Sequence, residues 1–569
     1  MAETTHLSAQ DHAATFSARA RTVALIIVAM AFIMDLLDNT IVNIAIPSIQ
    51  ANLGASYATI QWLIAGYAMS FATLLITGGR MGDVYGYKKI FMIGVGGFTL
   101  ASLLCGASWN SHVLIVARLL QGAFAALMVP QVMSLMQVMF KQHERGSIMG
   151  IFGALAGVAA TLGPVIGGIL IHFNIAGLDW RPIFLINIPV GLFALFAGFK
   201  YLPNGKSTHP LKLDIFGTVL ITIAMFLLVF PLIQGRELGW PAWSFEMLVA
   251  ALPVLAVFAW WQRRKDARDG SPLVVPSLLR LKTFVVGLII NLTFEGAMLG
   301  FFLPFTLILQ VGLGFSVIKA ALTGIPTAIG ISVMMGAFSQ KIIPKLGRYT
   351  MILGAALMAG GLYLLYALLN HYGQDMSPWA FIPGLLLVGG GMALIMSPMF
   401  SVALSDVDAA HAGSASGVLN AVQQLGGSIG IALLGLVFFT HLSTHAAANF
   451  NTVAPQIRAQ LSSLHVPASA QDQILQGAKA CFVDRSSAKD TSVLPASCNR
   501  LTHSATGPTE SDRAIGGVVA NAVKQANTKN FVSGFHAALI FEYVILGVIV
   551  VLSFLLPRKI KIAADYEAA

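Results

Sequence analysis

The chain has 569 residues, of which 56% are hydrophobic and only 10% charged, and its mean hydropathy is +0.78. Soluble domains average about 25% charged residues, so this apolar content exceeds what a soluble core can hide and the bilayer is the solvent. The formal net charge of +10 would suggest nucleic acid in a soluble protein. Here it is expected to follow membrane topology, with no nucleic-acid partner.

A helix needs roughly 20 apolar residues to cross about 30 Å of hydrocarbon. Fourteen such stretches are predicted, at about 22–48, 57–79, 89–109, 112–139, 147–172, 182–202, 214–234, 243–262, 284–310, 316–340, 349–370, 378–404, 412–440 and 532–556. The dyad alternation of a membrane β-barrel is absent, so the fold class is all-α membrane protein. The first twenty residues are polar and the first stretch is too long for a signal-peptide core, so no cleavage is expected. With the N-terminus inside, short loops on one side carry Lys88, Lys89, Lys141, Arg145, Arg263, Arg264, Lys265, Lys345 and Arg348, among others, whereas the opposite loops offer Arg181, Arg236 and Lys319. That bias places both termini in the cytoplasm.

Asp35 and Asp38 lie in the first stretch, in MDLLDNTIVNIAIP. A carboxylate in the bilayer costs about 2.5–3.5 kcal/mol on insertion scales and is kept mainly where it faces a cavity. Three residues apart, the two share a helix face. They read as proton- and cation-binding groups, since one acidic site can hold a proton or a cationic ligand in turn; a salt-bridged structural acid is the alternative. Arg118, in the fourth stretch, stays charged and requires a carboxylate partner. Glu295, in the ninth, lies about eleven residues in, near the midplane, and is expected to face the same cavity from the second half; Phe294, Met298, Phe301, Phe302 and Phe305 around it suggest an apolar wall. Glu542, in the last stretch, is a further intramembrane acid with no motif around it.

Between stretches two and three, GGRMGDVYGYKK carries Gly79, Asp83, Gly86, Lys88 and Lys89. Glycine permits a tight turn, and Asp83 can accept hydrogen bonds from a helix N-terminus and latch one conformation. The turn after stretch ten, QKIIPKLGRY, echoes it, with Gly347 in place of Gly86 and the acid missing. Stretch five carries Gly153, Gly157, Gly163, Pro164, Gly167 and Gly168, and stretch thirteen Gly413, Gly417, Gly426 and Gly430. Both are small-residue faces for close helix packing. Such weak repeats suggest two related halves.

The expected organisation is a tail at 1–21, a six-helix bundle at 22–202, two extra spans and a basic cytoplasmic linker (RRKDARDGSP) at 203–283, a second six-helix bundle at 284–556, and a tail at 557–569. Within the second bundle, residues 441–531 are expected as an extracytoplasmic loop with helix-like pieces APQIRAQLSSL and AIGGVVANAVKQA, either capping the outer opening or ornamental. Cys481 and Cys498 share that loop; a disulfide and free thiols are both open. Cys105 reads as a packed small residue. No P-loop, HExxH, GxSxG or CxxC pairing is present, so an enzyme or ATP-driven motor is not expected, and neither a cofactor nor a metal.

Taken together, LLDNTIVNIAIP, GRMGDVYGYKK, ARLLQGAFAA, GALAGVAATLGPVIGGIL, WRPIFLINIPVG and GSASGVLNAVQQLGGSIG resemble the signatures of the major facilitator superfamily, in its fourteen-span drug:proton antiporter branch of EmrB/QacA type. Tyr87 stands where that pattern usually has a basic residue. The resemblance implies a major facilitator fold, two six-helix bundles plus two central helices, and proton-driven efflux of lipophilic or cationic compounds by alternating access. It implies that Asp38 is the acid of the first-span signature, Arg118 its partner and Asp83 the gate-latch acid. The alternatives are a dedicated exporter of one metabolite, siderophore or antibiotic, and a non-transporting scaffold or sensor. Expected partners are drug-like small molecules, protons and membrane lipids, with a periplasmic adaptor and outer-membrane channel left open.

Overall fold

The computed structural model describes residues 18–140, 162–207, 212–335, 339–407, 412–487, 495–498 and 510–558, with isolated positions between 148 and 159. Among them there are helices and no strands, as a lipid-embedded backbone requires when every N–H and C=O must be satisfied within its own segment. Twelve helices are long and apolar enough to cross a membrane: α1 (Ala18–Leu53), α2 (Tyr57–Tyr85), α3 (Tyr87–Gly106), α4 (Ser111–Met139), α6 (Asn187–Tyr201, preceded by the single turn Pro182–Leu185), α7 (Ile215–Glu237), α8 (Ala242–Asp269), α9 (Lys282–Leu307), α11 (Tyr349–Tyr372), α12 (Ile382–Ala403), α13 (Ala412–Ser463) and α14 (Glu510–Ser553). Two shorter apolar helices, α5 (Leu162–His172) and α10 (Val317–Val333), hold the fifth and tenth places. α10 is broken at Gly324, where Val317–Thr323 gives way to Ile325–Val333. Gly153 and Gly157, Lys141 and Arg145 lie outside the described residues.

α2, α4, α3 and α6 pack with α1 around one buried cluster centred on Tyr67, Phe91, Phe98 and Val132. α9, α11, α12, α13 and α14 line another, rich in Phe and Met, which runs on into the first bundle through Ile41, Ile46, Leu63 and Phe184. The two bundles meet along α2 and α13: Gln61 donates to the Ile431 carbonyl at 3.0 Å, Ser428 to the Ala65 carbonyl at 3.0 Å, and the Tyr57 and Phe439 rings stack at 4.0 Å. They also meet near the C-terminal end of α1, where Gln310 donates to the Ile44 carbonyl at 3.1 Å. The echo between the halves is conformational as well: Gly86 and Gly347 both break a helix at positive φ, +99° and +54°, a region that L side chains avoid.

α7 lies against both bundles, on Ala58, Trp62 and Met69 of α2 and on Ala432 of α13. α8 packs mainly on α7. Asp214 ties the pair together by accepting from Trp261 Nε1 and Gln262 Nε2, both at 2.8 Å. The basic stretch expected as a linker is the end of α8, which continues to Asp269 with Lys265 and Asp269 paired at 2.7 Å one turn apart, and ends at Gly270 in the left-handed region.

Residues 441–531 are not a separate loop. α13 runs unbroken from the bundle to Ser463, and α14 already begins at Glu510. The reason is a second apolar stripe: Phe450, Val453, Ile457 and Leu461 of α13 pack with Leu475, Ala478 and Phe482 of the helix Ala468–Ser487 and with Ala522 and Ala526 of α14. That extension has its own small core, closed by a disulfide between Cys481 and Cys498. Cys105 is a buried free thiol.

Candidate functional site

The residue types that are most costly in a membrane converge in the first bundle. Asp35 and Asp38 lie one turn apart on α1, and Arg118 and Gln121 are likewise three residues apart on α4, so each helix turns two polar groups to one side. α4 is started by Asn110, whose side chain accepts from the Val113 N–H at 2.9 Å. α6 brings Asn187 and α3 brings Ser102.

Asp38 and Arg118 form a buried ion pair, each 1% exposed. Gln121 and Asn187 donate to the same carboxylate at 2.8 and 3.0 Å, and both also donate to Ser102 Oγ, at 2.8 and 3.2 Å. The guanidinium is satisfied on its other sides by the Leu63 carbonyl (3.0 Å) and Gln121 Oε1 (2.7 Å). A buried charge pair survives only with this degree of hydrogen bonding. Asp35 is held differently: among the described residues its one side-chain partner is the Tyr67 hydroxyl, which donates to it. The Tyr67 ring in turn lies under the Arg118 guanidinium, 4.3 Å away. The two acids are thus linked in series, carboxylate to phenol to guanidinium to carboxylate, within a water-poor interior where such interactions are strong.

Behind this cluster stands α5. A Cβ at Gly167 would lie 2.7 Å from side-chain carbons of both Ile41 and Ile44, and one at Gly168 would lie 2.9 Å from Ala321 of α10. The Gly163-Pro164 and Gly167-Gly168 motif therefore lets α5 touch α1 one turn past Asp38 and the second bundle at the same time.

Glu295 is buried on α9 and accepts from Gln423 Nε2 of α13 at 2.6 Å. The two helices approach closely here because Gly296 faces Gly426 and Gly430. Among the described residues the hydrogen-bond partner of Glu295 is Gln423, and no hydrogen bond or ion pair joins Glu295 to Asp35 or Asp38. Of the neighbouring aromatics, Phe301 and Phe305 stack at 5.2 Å inside the second bundle.

In the short turn between α2 and α3, Asp83 accepts from the Tyr87 hydroxyl at 3.0 Å, a contact within its own turn. Other groups of the turn bind the rest of the protein: Lys88 donates to the Phe199 carbonyl (2.8 Å), Tyr87 N–H to the Gly205 carbonyl (2.8 Å), and Arg80 to the carbonyls of Lys212, Ser271 and Pro272. Lys89 is exposed. Gly79 sits against Pro130 of α4.

Sequence reasoning missed Tyr67, Gln121, Asn187, Gln423 and Arg80. Gln121 was legible as the i+3 companion of Arg118, and Asn187 and Arg80 as polar groups within or at the end of apolar stretches; nothing in the sequence singles out Tyr67 or Gln423.

The sequence profile of the Major Facilitator Superfamily matches residues 28–431. A probable actinorhodin transporter of Streptomyces coelicolor is 38% identical over 95% of this chain and 92% of its own length. The multidrug resistance protein Stp of Mycobacterium tuberculosis is 29% identical over 77% of this chain and 79% of its own. Among solved structures, an inward-facing, unoccupied bacterial homolog of the human lysosomal transporter Spinster superposes with a TM-score of 0.52 at 14% identity, covering 94% of this chain and 99% of that one; this similarity concerns the fold. The chain belongs to the Major Facilitator Superfamily, in its drug:proton antiporter family, and is a multi-pass membrane transporter rather than an enzyme.

Proposed function

We propose that this transporter exports lipophilic, cationic drug-like compounds across the cytoplasmic membrane in exchange for protons, with both termini in the cytoplasm and residues 22–202 and 284–556 rocking as two bodies around the 203–283 insert. The observation that carries the reading is the pair of buried acids, differently held among the described residues: Asp38 by Arg118, Gln121 and Asn187, and Asp35 by the Tyr67 hydroxyl. Asp35 is the group that exchanges its ligand, proton or cation. Asp38 and Arg118 form the coupling element, because protonating Asp38 frees a guanidinium whose ring contact bears on the Tyr67 that holds Asp35. Glu295 serves the second bundle in the same way, and the Gly79–Lys89 turn fixes the insert to the first bundle. Contacts at Ile44–Gln310 and Gly168–Ala321 close the end nearer the helical extension, which the basic loops at the opposite end make the extracytoplasmic one.

The energetics suffice. One proton falling through about 100 mV supplies about 2.3 kcal/mol and one pH unit about 1.4 kcal/mol, which together support a gradient of roughly a few hundred-fold. The test is uptake of cationic dyes by proteoliposomes under an imposed pH gradient. Gradient-driven accumulation is expected, and Asp35→Asn, which removes the charge that proton and cation compete for, is expected to bind cationic dye more weakly and not to accumulate it. Wild-type rates in Asp35→Asn, or flux indifferent to the gradient, overturn the reading; transport of a single compound among unrelated drugs makes it a dedicated exporter.

A further inference from the structure

One buried acid plays no part in that scheme. Glu542 lies on α14, ten residues and about 15 Å into the apolar stretch 532–556, which puts it near the centre of a hydrocarbon layer about 30 Å thick. It is 1% exposed, and neither carboxyl oxygen has a hydrogen-bond partner among the described residues. Its own helix face is apolar in both directions: Ala538 and Leu539 one turn before it and Leu546 one turn after it are all buried.

Among the described residues, the elements packed against α14 pair no counter-charge with this carboxyl. α9 contributes Glu295, already bonded to Gln423. From α11 come Tyr363, largely exposed, Tyr366, stacked on His536 at 4.4 Å, and an exposed His371. α13 brings His441, bonded to Ser533, and the exposed His445; on α14 itself the Tyr543 hydroxyl goes to the Ala359 carbonyl. Lys479, Asp484 and Arg485 of the helix Ala468–Ser487 and Asp375 at the end of α11 lie toward the extension, and Arg348 at the opposite end caps carbonyls of Phe554 and Leu556. Among the described residues no hydrogen bond reaches either oxygen of the Glu542 carboxyl.

An isolated carboxylate in such surroundings neutralises rather than remain charged. A metal ion or an organic cation needs further oxygen or nitrogen ligands, and the surrounding stripe supplies none. The ligand that fits is the smallest cation. We propose that Glu542 is a second proton-binding site, in the C-terminal bundle, carrying a proton in this conformation and releasing it to water when rocking of the bundles opens this interior. The step is an O–H cleavage with the proton passing to water; the reverse step reloads it from the other side. Beside Asp35 and Asp38 in the first bundle and Glu295 in the second, it adds a further proton carrier, which raises the number of protons exchanged per cargo molecule.

This inference rests on the proton-exchange reading, so its test separates the two. Proteoliposomes are loaded with the cationic dye system used above, the voltage is clamped at zero, and protons moved per dye molecule are counted along with the limiting dye gradient at a pH difference of one unit. Glu542→Gln, a near-isosteric mimic of the neutral acid, is expected to keep dye transport, to move one proton fewer per dye, and to lower the limiting gradient about tenfold. If the wild type shows no gradient-driven flux, the proposed function fails. If the wild type is coupled and Glu542→Gln has the same proton count and the same limiting gradient, the acid is structural and this inference fails. Should Glu542→Gln not assemble, infrared spectroscopy of the wild type against Glu542→Asp decides: the carbonyl band of a neutral carboxylic acid is expected to shift in the variant and to lose intensity during turnover. Identical spectra, or a band that turnover leaves unchanged, overturn the proposal.

Discussion

Replacing Asp38 by Asn removes a counter-charge from a place buried away from solvent. Three side chains converge on that carboxylate: Arg118, Gln121 at 2.8 Å and Asn187 at 3.0 Å. Arginine does not give up its proton inside proteins, so Arg118 has no route to neutrality and keeps its charge against the Leu63 carbonyl and Gln121 alone. Breaking a buried pair in this way costs about 3–5 kcal/mol. Arg118→Met leaves the opposite orphan, an uncompensated carboxylate, at a similar cost. The double substitution Asp38→Asn/Arg118→Met removes both charges and fills the space with apolar atoms; exchanges of that kind are near neutral or stabilising. The singles therefore sum to about 6–10 kcal/mol, while the double is expected within about 3 kcal/mol of wild type, a coupling of at least about 3 kcal/mol. The measurement is unfolding in mixed micelles on all four proteins, with dye efflux in parallel. All three variants are expected to lose proton-driven efflux, and only the double to keep near-native stability. Additive losses would refute the reasoning, because they mean that the two groups do not depend on each other for charge compensation.

Gly167→Val places methyl groups where Ile41 and Ile44 already stand within 2.7 Å of a Cβ; overpacking of this kind costs about 1–3 kcal/mol, and loss of efflux with retained membrane insertion is expected, measured by dye retention in cells alongside surface expression. Reducing the Cys481–Cys498 bond, which spans 17 residues, is expected to lower the stability of the extension by about 3 kcal/mol and leave the membrane bundles intact; limited proteolysis should cut within 441–531 first, and cuts elsewhere count against a separate core there. Arg80→Ala strips three carbonyls of residues 212, 271 and 272 of their donor and is expected to make residues 270–281 the first site of protease attack; an unchanged digestion pattern means the insert is held by other contacts.

Much of the fold was legible because a bilayer simplifies the code: about 20 apolar residues make a helix whatever their order, and the buried charges stand out against them. Asp38 and Arg118 were readable as partners for that reason, since each is nearly unaffordable alone. The helix-like pieces expected at 454–464 and 514–526 fall in α13 (to Ser463) and α14; their continuity with the membrane helices was not legible because the extension buries only a narrow stripe, such as Phe450, Val453 and Ile457, so hydropathy falls although helicity does not. The end of α8 was misread as a linker on its charges, although Lys265 and Asp269 have the i,i+4 spacing that supports a helix. Tyr67 was hidden because an aromatic residue in a membrane span is usual, and its role depends on which helices become neighbours. Asp83 was expected to bond to the start of a neighbouring helix; its partner is the hydroxyl of Tyr87, the first residue of α3, a side chain that the motif does not single out.

α13 passes from the membrane bundle into the extension as one continuous helix of 52 residues, about 78 Å long at 1.5 Å per residue. It therefore behaves as a lever arm. From residue 441 to Ser463 the shaft projects about 35 Å, so each degree by which the second bundle tilts carries the tip sideways by about 0.6 Å, and the disulfide-closed cap travels with it as a pointer to the state of the interior.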